Sequence, residues 1–221
     1  MAKVDIFGTL HVDRPKKVKR ELAEFCTDAD VLFVESPRDK PDNADERIMF
    51  LRNPIFSVTG RLLDFAWGPI GFLLTGEFEP IDGYVTEVVS QEQNIDIEPV
   101  DMNLVRRAGE VSIITTVVSW FWLILTVSVF VFGALQLSPN LIIWAAVLGF
   151  APLVPFAYVT LSERDEQIAE NIQHTFSTES GVQRGCLVVG RGHMSGVIEE
   201  LEESDIEVDK THKSKFCRRN S

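Results

Sequence analysis

From Val111 to Ser162 the chain carries no Asp, Glu, Lys or Arg for 52 consecutive residues. In a sequence whose charged fraction is 24% overall, such a stretch restricts the folds available more than any other feature. Residues 111–135 (VSIITTVVSWFWLILTVSVFVFGAL) and 141–161 (LIIWAAVLGFAPLVPFAYVTL) are each long enough to cross a hydrocarbon core of about 30 Å, which takes roughly 20 apolar residues. Residues 136–140 (QLSPN) read as the turn of a helical hairpin. A buried helix pair in a soluble domain usually keeps a polar stripe. Here the apolar character runs right round both segments. Pro152 and Pro155 are tolerated in a transmembrane helix and predict a kink in the second span.

Arg106 and Arg107 precede the first span, and the turn carries no charge. The positive-inside rule therefore puts both termini in the cytoplasm, on a multi-pass protein of the cell membrane. A further apolar stretch, residues 55–76, is interrupted by Arg61 and Asp64 and broken by Gly68, Pro69 and Gly71. It reads as an interfacial helix or lid, with a third span and a plain core helix as alternatives.

The formal net charge is −12. That surplus repels phosphate and argues against nucleic acid as a partner. It fits a halophilic source, where screening removes the cost of self-repulsion, and equally an ordinary acidic surface. Cys26, Cys186 and Cys217 are odd in number with no CxxC pair, so neither a disulfide framework nor a cysteine zinc site is expected. Cys26 and Cys186 read as small buried apolar groups. No cleavable signal is expected at the start, because no apolar stretch precedes a small-residue cleavage site.

Outside the hairpin, short apolar runs alternate with helical patterns. Strands are expected at residues 3–7, 31–34, 95–100 and 186–189, and helices at 15–26, 82–93, 163–176 and 194–204. Runs such as VLFV and CLVV belong to strands buried on both faces, as in a parallel sheet. The expected fold class is α/β, a mostly parallel sheet flanked by helices with an inserted two-helix transmembrane hairpin. Residues 1–110 and 162–221 would form the two parts of one soluble domain around the hairpin at 111–161, the second part ending in a basic tail.

One pattern recurs: a strand followed by Gly-x-x-His, at Gly8 to His11 and at Gly190 to His193. Ligands of open α/β sheets bind beyond the carboxyl ends of the strands, where both histidines and Glu35 would emerge. The two glycines are expected to let the chain turn sharply there and to line the cofactor's side of the site. Two imidazoles and a carboxylate (His11, His193, Glu35) are a common set for zinc or a similar divalent metal, with manganese and cobalt as alternatives. Arg164 is placed to stabilise a developing oxyanion, and Glu163 to orient it or act as a base. Strand-capping histidines with local hydrogen bonds would give the same pattern. His174 and His212 lack this context and read as solvated.

Five segments carry a resemblance: GTLHVD, VLFVES, VDMNLVRR, SERDEQIAENI and VVGRGHMSGVIEEL, in that order. The chain resembles the TraB/PrgY (pheromone-shutdown) family, itself related to Tiki-type metalloproteases and EreA/ChaN-like proteins. The resemblance implies an α/β domain with one site made by both Gly-x-x-His motifs, a glutamate and an arginine, here His11, His193, Glu35 and Arg164. It implies divalent-metal-dependent hydrolysis of peptides in one branch and restraint of a peptide signal at a membrane in another. Two features depart from the pattern: Glu35 is followed by Ser36-Pro37, and the hairpin lies between the two halves of the motif set. The expectations are a membrane-anchored metal-dependent hydrolase, or a non-catalytic membrane regulator that binds a peptide or small ligand. Membrane lipid is a partner in either case, and a homo-oligomer is compatible with both.

Overall fold

The computed structural model describes residues 2–10, 15–75, 81–179 and 181–214. It divides into two units. One comprises Met1–Arg38, Gly68–Met102 and Leu161–Ser221, and the other Asp39–Trp67 and Asn103–Thr160.

The first unit is built on a five-stranded, all-parallel sheet. Its strands are β1 (Lys3–Thr9), β2 (Val31–Pro37), β3 (Asp96–Asp101), β4 (Arg184–Gly190) and β5 (Glu207–Lys213), in the order β3-β2-β4-β1-β5. Alternation of side chains across the pleat explains the continuous apolar runs. In β4, Cys186 and Val188 face one layer, while Leu187 and Val189 face the other. Helices α1 (Pro15–Phe25) and α4 (Ile81–Gln93) cover the first face with Val18, Leu22, Val85 and Val89. Helices α8 (Leu153–Thr178) and α9 (Met194–Glu202) cover the second with Ile168, Ile172, Val197 and Leu201.

Three expectations are corrected in this unit. Cys26 and Cys186 are fully buried, as expected, but they form a disulfide with their Cα atoms 5.9 Å apart. The end of α1 lies over β4, and a sequence separation of 160 residues gave no hint of that proximity. Residues 211–213, expected in the basic tail, belong instead to β5 (207–213), which pairs along the outer edge of β1. His212 is consequently half-buried and not fully solvated, its side chain 24% exposed. It stacks on Phe7 with ring centroids 5.0 Å apart and lies 3.2 Å from Glu21 Oε2.

The second unit is helical: α2 (Asn43–Arg52), the first part of α3 (Pro54–Thr75), α5 (Leu104–Gly109), α6 (Ile113–Leu135), α7 (Pro139–Phe150) and the start of α8. Residues 39–67 therefore group with the apolar helices rather than with the sheet. Local bonds explain this. Ser119 of α6 donates to Asn53 Oδ1 at 3.0 Å and accepts from the Ile55 N–H at 3.2 Å, and the Trp120 indole donates to the Leu51 carbonyl. The stretch from Pro54 to Thr75 is one helix, which Gly68, Pro69 and Gly71 do not break.

Among the described residues, α6 is the one helix long and apolar enough to cross a membrane, with a mean hydropathy of 2.2. Only 11% of its most apolar window is buried, whereas the core helix of a soluble fold hides its apolar side chains. Ser112 caps its start, accepting from the Thr115 N–H at 3.2 Å. Its end is closed by Leu137 at φ 52°, with the Ser138 N–H bonded to the Gly133 carbonyl at 2.9 Å. That is a Schellman ending with leucine where glycine is usual. The expected second span is divided. Helix α7 has 12 residues and stops at Phe150, and α8 starts at Leu153.

Proline causes the division. Pro152 has no N–H for the Leu148 carbonyl, four residues earlier. The Trp122 indole of α6 supplies the missing donor, reaching Leu148 O at 2.7 Å. Thr59 of α3 donates to the next carbonyl, Gly149 O, at 3.2 Å. Replacing Trp122 by Phe keeps most of the apolar surface but orphans the Leu148 carbonyl. We expect a loss of about 1–3 kcal/mol in the helical unit, read as earlier unfolding of detergent-solubilised protein by the remaining tryptophans. An unchanged midpoint would show that the indole bond contributes nothing.

Candidate functional site

The strand order sets up a crevice. β1 and β4 are neighbours, but the chain leaves β1 for α1 on one face and β4 for α9 on the other. Adjacent strands whose following helices diverge leave a gap outside their carboxyl ends, where open α/β sheets bind ligands. The Arg191 N–H donates to the Thr9 carbonyl at 2.9 Å, tying the two strand ends together.

Glu35 comes from β2, next to β4, and is half-buried. Its Oε2 accepts from the Gly190 N–H at 2.6 Å, and its Oε1 accepts from Arg164 Nη2 at 2.7 Å. Asp101 ends β3 and binds the same guanidinium: Arg164 Nε donates to its Oδ1 at 3.0 Å and Nη2 to its Oδ2. Arg164 thus joins the ends of two neighbouring strands. Burial would lower its pKa, but the bonds and charges of Asp101, then Glu35, outweigh that and raise it above the ordinary value.

His193 is buried just ahead of α9, with its backbone N–H on the Gly190 carbonyl at 3.0 Å. Its Nδ1 lies 2.5 Å from Asp165 Oδ1, and its Nε2 lies 3.6 Å from Glu35 Oε1. Arg164 and Asp165 are successive residues of α8, flanking the stripe of Ile168, Ala169 and Ile172 that packs on the sheet. One guanidinium and one carboxylate therefore reach different strand ends from one helix. The helix is fixed lower down by the Asn171 side chain, which donates to the Val100 carbonyl at 2.8 Å.

The structure brings together Glu35, Arg164, Gly190 and His193. Glu163 is half-buried on α8, beside Arg164. His11 lies outside the described residues. Gly8 and Gly190 are closely packed by side chains from other elements. Neither has a left-handed backbone; each is small because something else occupies the space. A Cβ on Gly8 would lie 2.0 Å from Met194 Sδ, and one on Gly190 would lie 3.2 Å from Glu35 Oε2. Sequence reasoning missed Asp101 and Asp165. Asp101 carried one usable signal, a carboxylate at the end of a strand on the same edge.

Among the described residues, no group of three or more His, Cys, Asp or Glu side chains is arranged as a metal site. Two of the three expected donors are nevertheless placed suitably. His193 Nε2 and Glu35 Oε1 stand 3.6 Å apart, a spacing two atoms can span when both bond one ion at about 2.0–2.2 Å. The far nitrogen of the imidazole sits on a carboxylate, as the second nitrogen of metal-bound histidines usually does. Glu35 and Asp101 share one guanidinium while Asp165 lies on His193, so three carboxylates are set against one fixed positive charge and the site favours cations. No family model, curated protein or solved structure matches the chain.

Proposed function

We propose that this chain is a membrane-anchored, metal-dependent hydrolase of the TraB type that acts on peptides, with its site at the carboxyl edge of the parallel sheet. The observation that carries the reading is the linked set Asp165–His193–Glu35–Arg164–Asp101 at the carboxyl ends of β2, β3 and β4, on the edge where open α/β sheets bind ligands. His193 and Glu35, with His11, would hold the divalent ion. Such an ion, when bound, lowers the pKa of a water and supplies a nucleophile near neutral pH. Arg164 holds Glu35 and Asp101 in place and offers Nη1, the guanidinium nitrogen those carboxylates leave over, to a developing oxyanion.

The anchor is a hairpin of two spans, with α6 as the first and residues 139–161 as the second. Contacts between α6 and α7 support it. Gly133 meets Leu141 near the turn, Thr126 meets Gly149 further down, and Trp122 bonds Leu148. Arg106 and Arg107 put both soluble ends in the cytoplasm. Bilayer lipid then surrounds the exposed faces of the spans, α3 lies at the interface, and a homo-oligomer can form through those same faces.

The test is metal analysis of the detergent-purified full chain beside the double variant His11→Ala/His193→Ala. A stoichiometric divalent ion is expected in the first and none in the second; equal content in both would eliminate the hydrolase. One observation favours a non-catalytic regulator. Both Glu35 oxygens and two of the three Arg164 nitrogens are already engaged within the protein. Peptide binding that survives chelation, with no turnover across a peptide library, would decide for that reading.

A further inference from the structure

We infer that Asp165 is the positioning residue that makes His193 a ligand, and that Gly196 is the space this arrangement needs; the inference rests on the metal reading above. Asp165 Oδ1 lies 2.5 Å from His193 Nδ1. A carboxylate only accepts, so a neutral imidazole there carries its proton on Nδ1. Nε2 is then a lone pair, and it faces Glu35 Oε1 at 3.6 Å. Two acceptors set against each other in a buried site repel until positive charge, a metal ion or a second ring proton, lies between them. The opposite tautomer would donate to Glu35 and close the gap without an ion. The choice of tautomer therefore decides whether this pair binds metal or merely bonds to itself.

A second observation points the same way. Position 196 is the third residue of α9, in its first turn, where glycine keeps more backbone freedom than alanine would. A Cβ there would lie 2.0 Å from Asp165 Oδ2, 2.8 Å from its Cγ and 3.1 Å from its Cβ. Rotating the carboxylate clears the oxygen but not the Asp165 Cβ. Alanine at 196 must therefore push α8 and α9 apart or turn Asp165 away from the ring. The missing side chain in α9 gives the orienting carboxylate from α8 room to approach.

The experiment uses the full chain in detergent, 15N-labelled at histidine, with Co2+ alone as the probe. Without metal, one histidine should show the Nδ1-protonated tautomer, and that signal should vanish in His193→Gln. Asp165→Ala and Gly196→Ala should each lose the tautomer preference and lower Co2+ affinity about 10–100-fold. Gly192→Ala, with no atom within 4 Å of its new Cβ, should change neither. If glycine at 196 mattered only to the helix, Gly196→Ala would stabilise the protein and leave tautomer and affinity untouched, which overturns the inference. Should Gly196→Ala fail to fold, Asp165→Ala alone decides, because it removes the acceptor; an unaltered tautomer and affinity there overturn it equally. Absence of Co2+ binding by the unaltered chain would sink the metal reading, while the tautomer measurement would still decide the role of Asp165.

Discussion

Replacing Arg164 by methionine is expected to destabilise the sheet unit by about 3–5 kcal/mol, the usual cost of removing one partner from a buried ion pair. The side chains of Glu35 and Asp101 are only 9% and 5% exposed, and both rely on this guanidinium. Methionine matches the stem but leaves two carboxylates with one backbone donor each, from Gly190 and Met102. The loss should appear as faster amide exchange in β2, β3 and β4, since all four tryptophans lie outside the sheet strands and would not report it. The triple variant Arg164→Met/Glu35→Gln/Asp101→Asn should recover part of the stability, because the stranded charges are gone. Exchange unchanged in Arg164→Met would mean that water reaches both carboxylates and that the clamp contributes little.

Gly133→Leu is the second variant expected to do large damage, this time between α6 and α7. A Cβ at this position would lie 2.8 Å from Leu141 Cβ and 3.2 Å from the Ile142 nitrogen. The nearer neighbours include backbone, so no rotamer relieves the clash. Overpacking of this kind costs about 1–3 kcal/mol, and more where backbone must move. Small residues at helix crossings bring membrane helices close enough for dispersion contacts to hold them. Cysteines at Thr126 and Gly149, where the Thr126 methyl lies 3.5 Å from a Cβ at 149, should crosslink efficiently in the parent chain. Adding Gly133→Leu should cut that yield several-fold. Equal yields would show that the helices do not approach at Gly133.

The sequence made the sheet legible because buried parallel strands announce themselves. VLFV and CLVV can hardly be anything else, and the order of strands and helices followed from them. What escaped was whatever depended on partners distant in the chain. β5 (EVDKTHK) has no apolar run; it is an edge strand held by pairing with β1. Helix α2 was missed although Asp42 and Asp45 form a capping box, because the side chains that follow show no apolar stripe. The disulfide between Cys26 and Cys186 was invisible for want of a fold to bring the residues together. Pro152 did predict an irregular second apolar segment, but not that Trp122 would fill the donor it lacks. At the site, strand ends located Glu35 and His193. Asp165 was hidden because its partner, His193, lies 28 residues away in the chain.

β1 is the first strand in the chain, and both of its neighbours, β4 and β5, come from residues 184–213. During synthesis β1 must therefore wait, its backbone donors and acceptors unpaired, until residues 184–213 have left the ribosome. The apolar helices have emerged by then. A messenger cut short before codon 184 would release a product with two bare edges on its first strand, a template for intermolecular pairing. Shortened products of this chain should accumulate as aggregates rather than as smaller folded proteins.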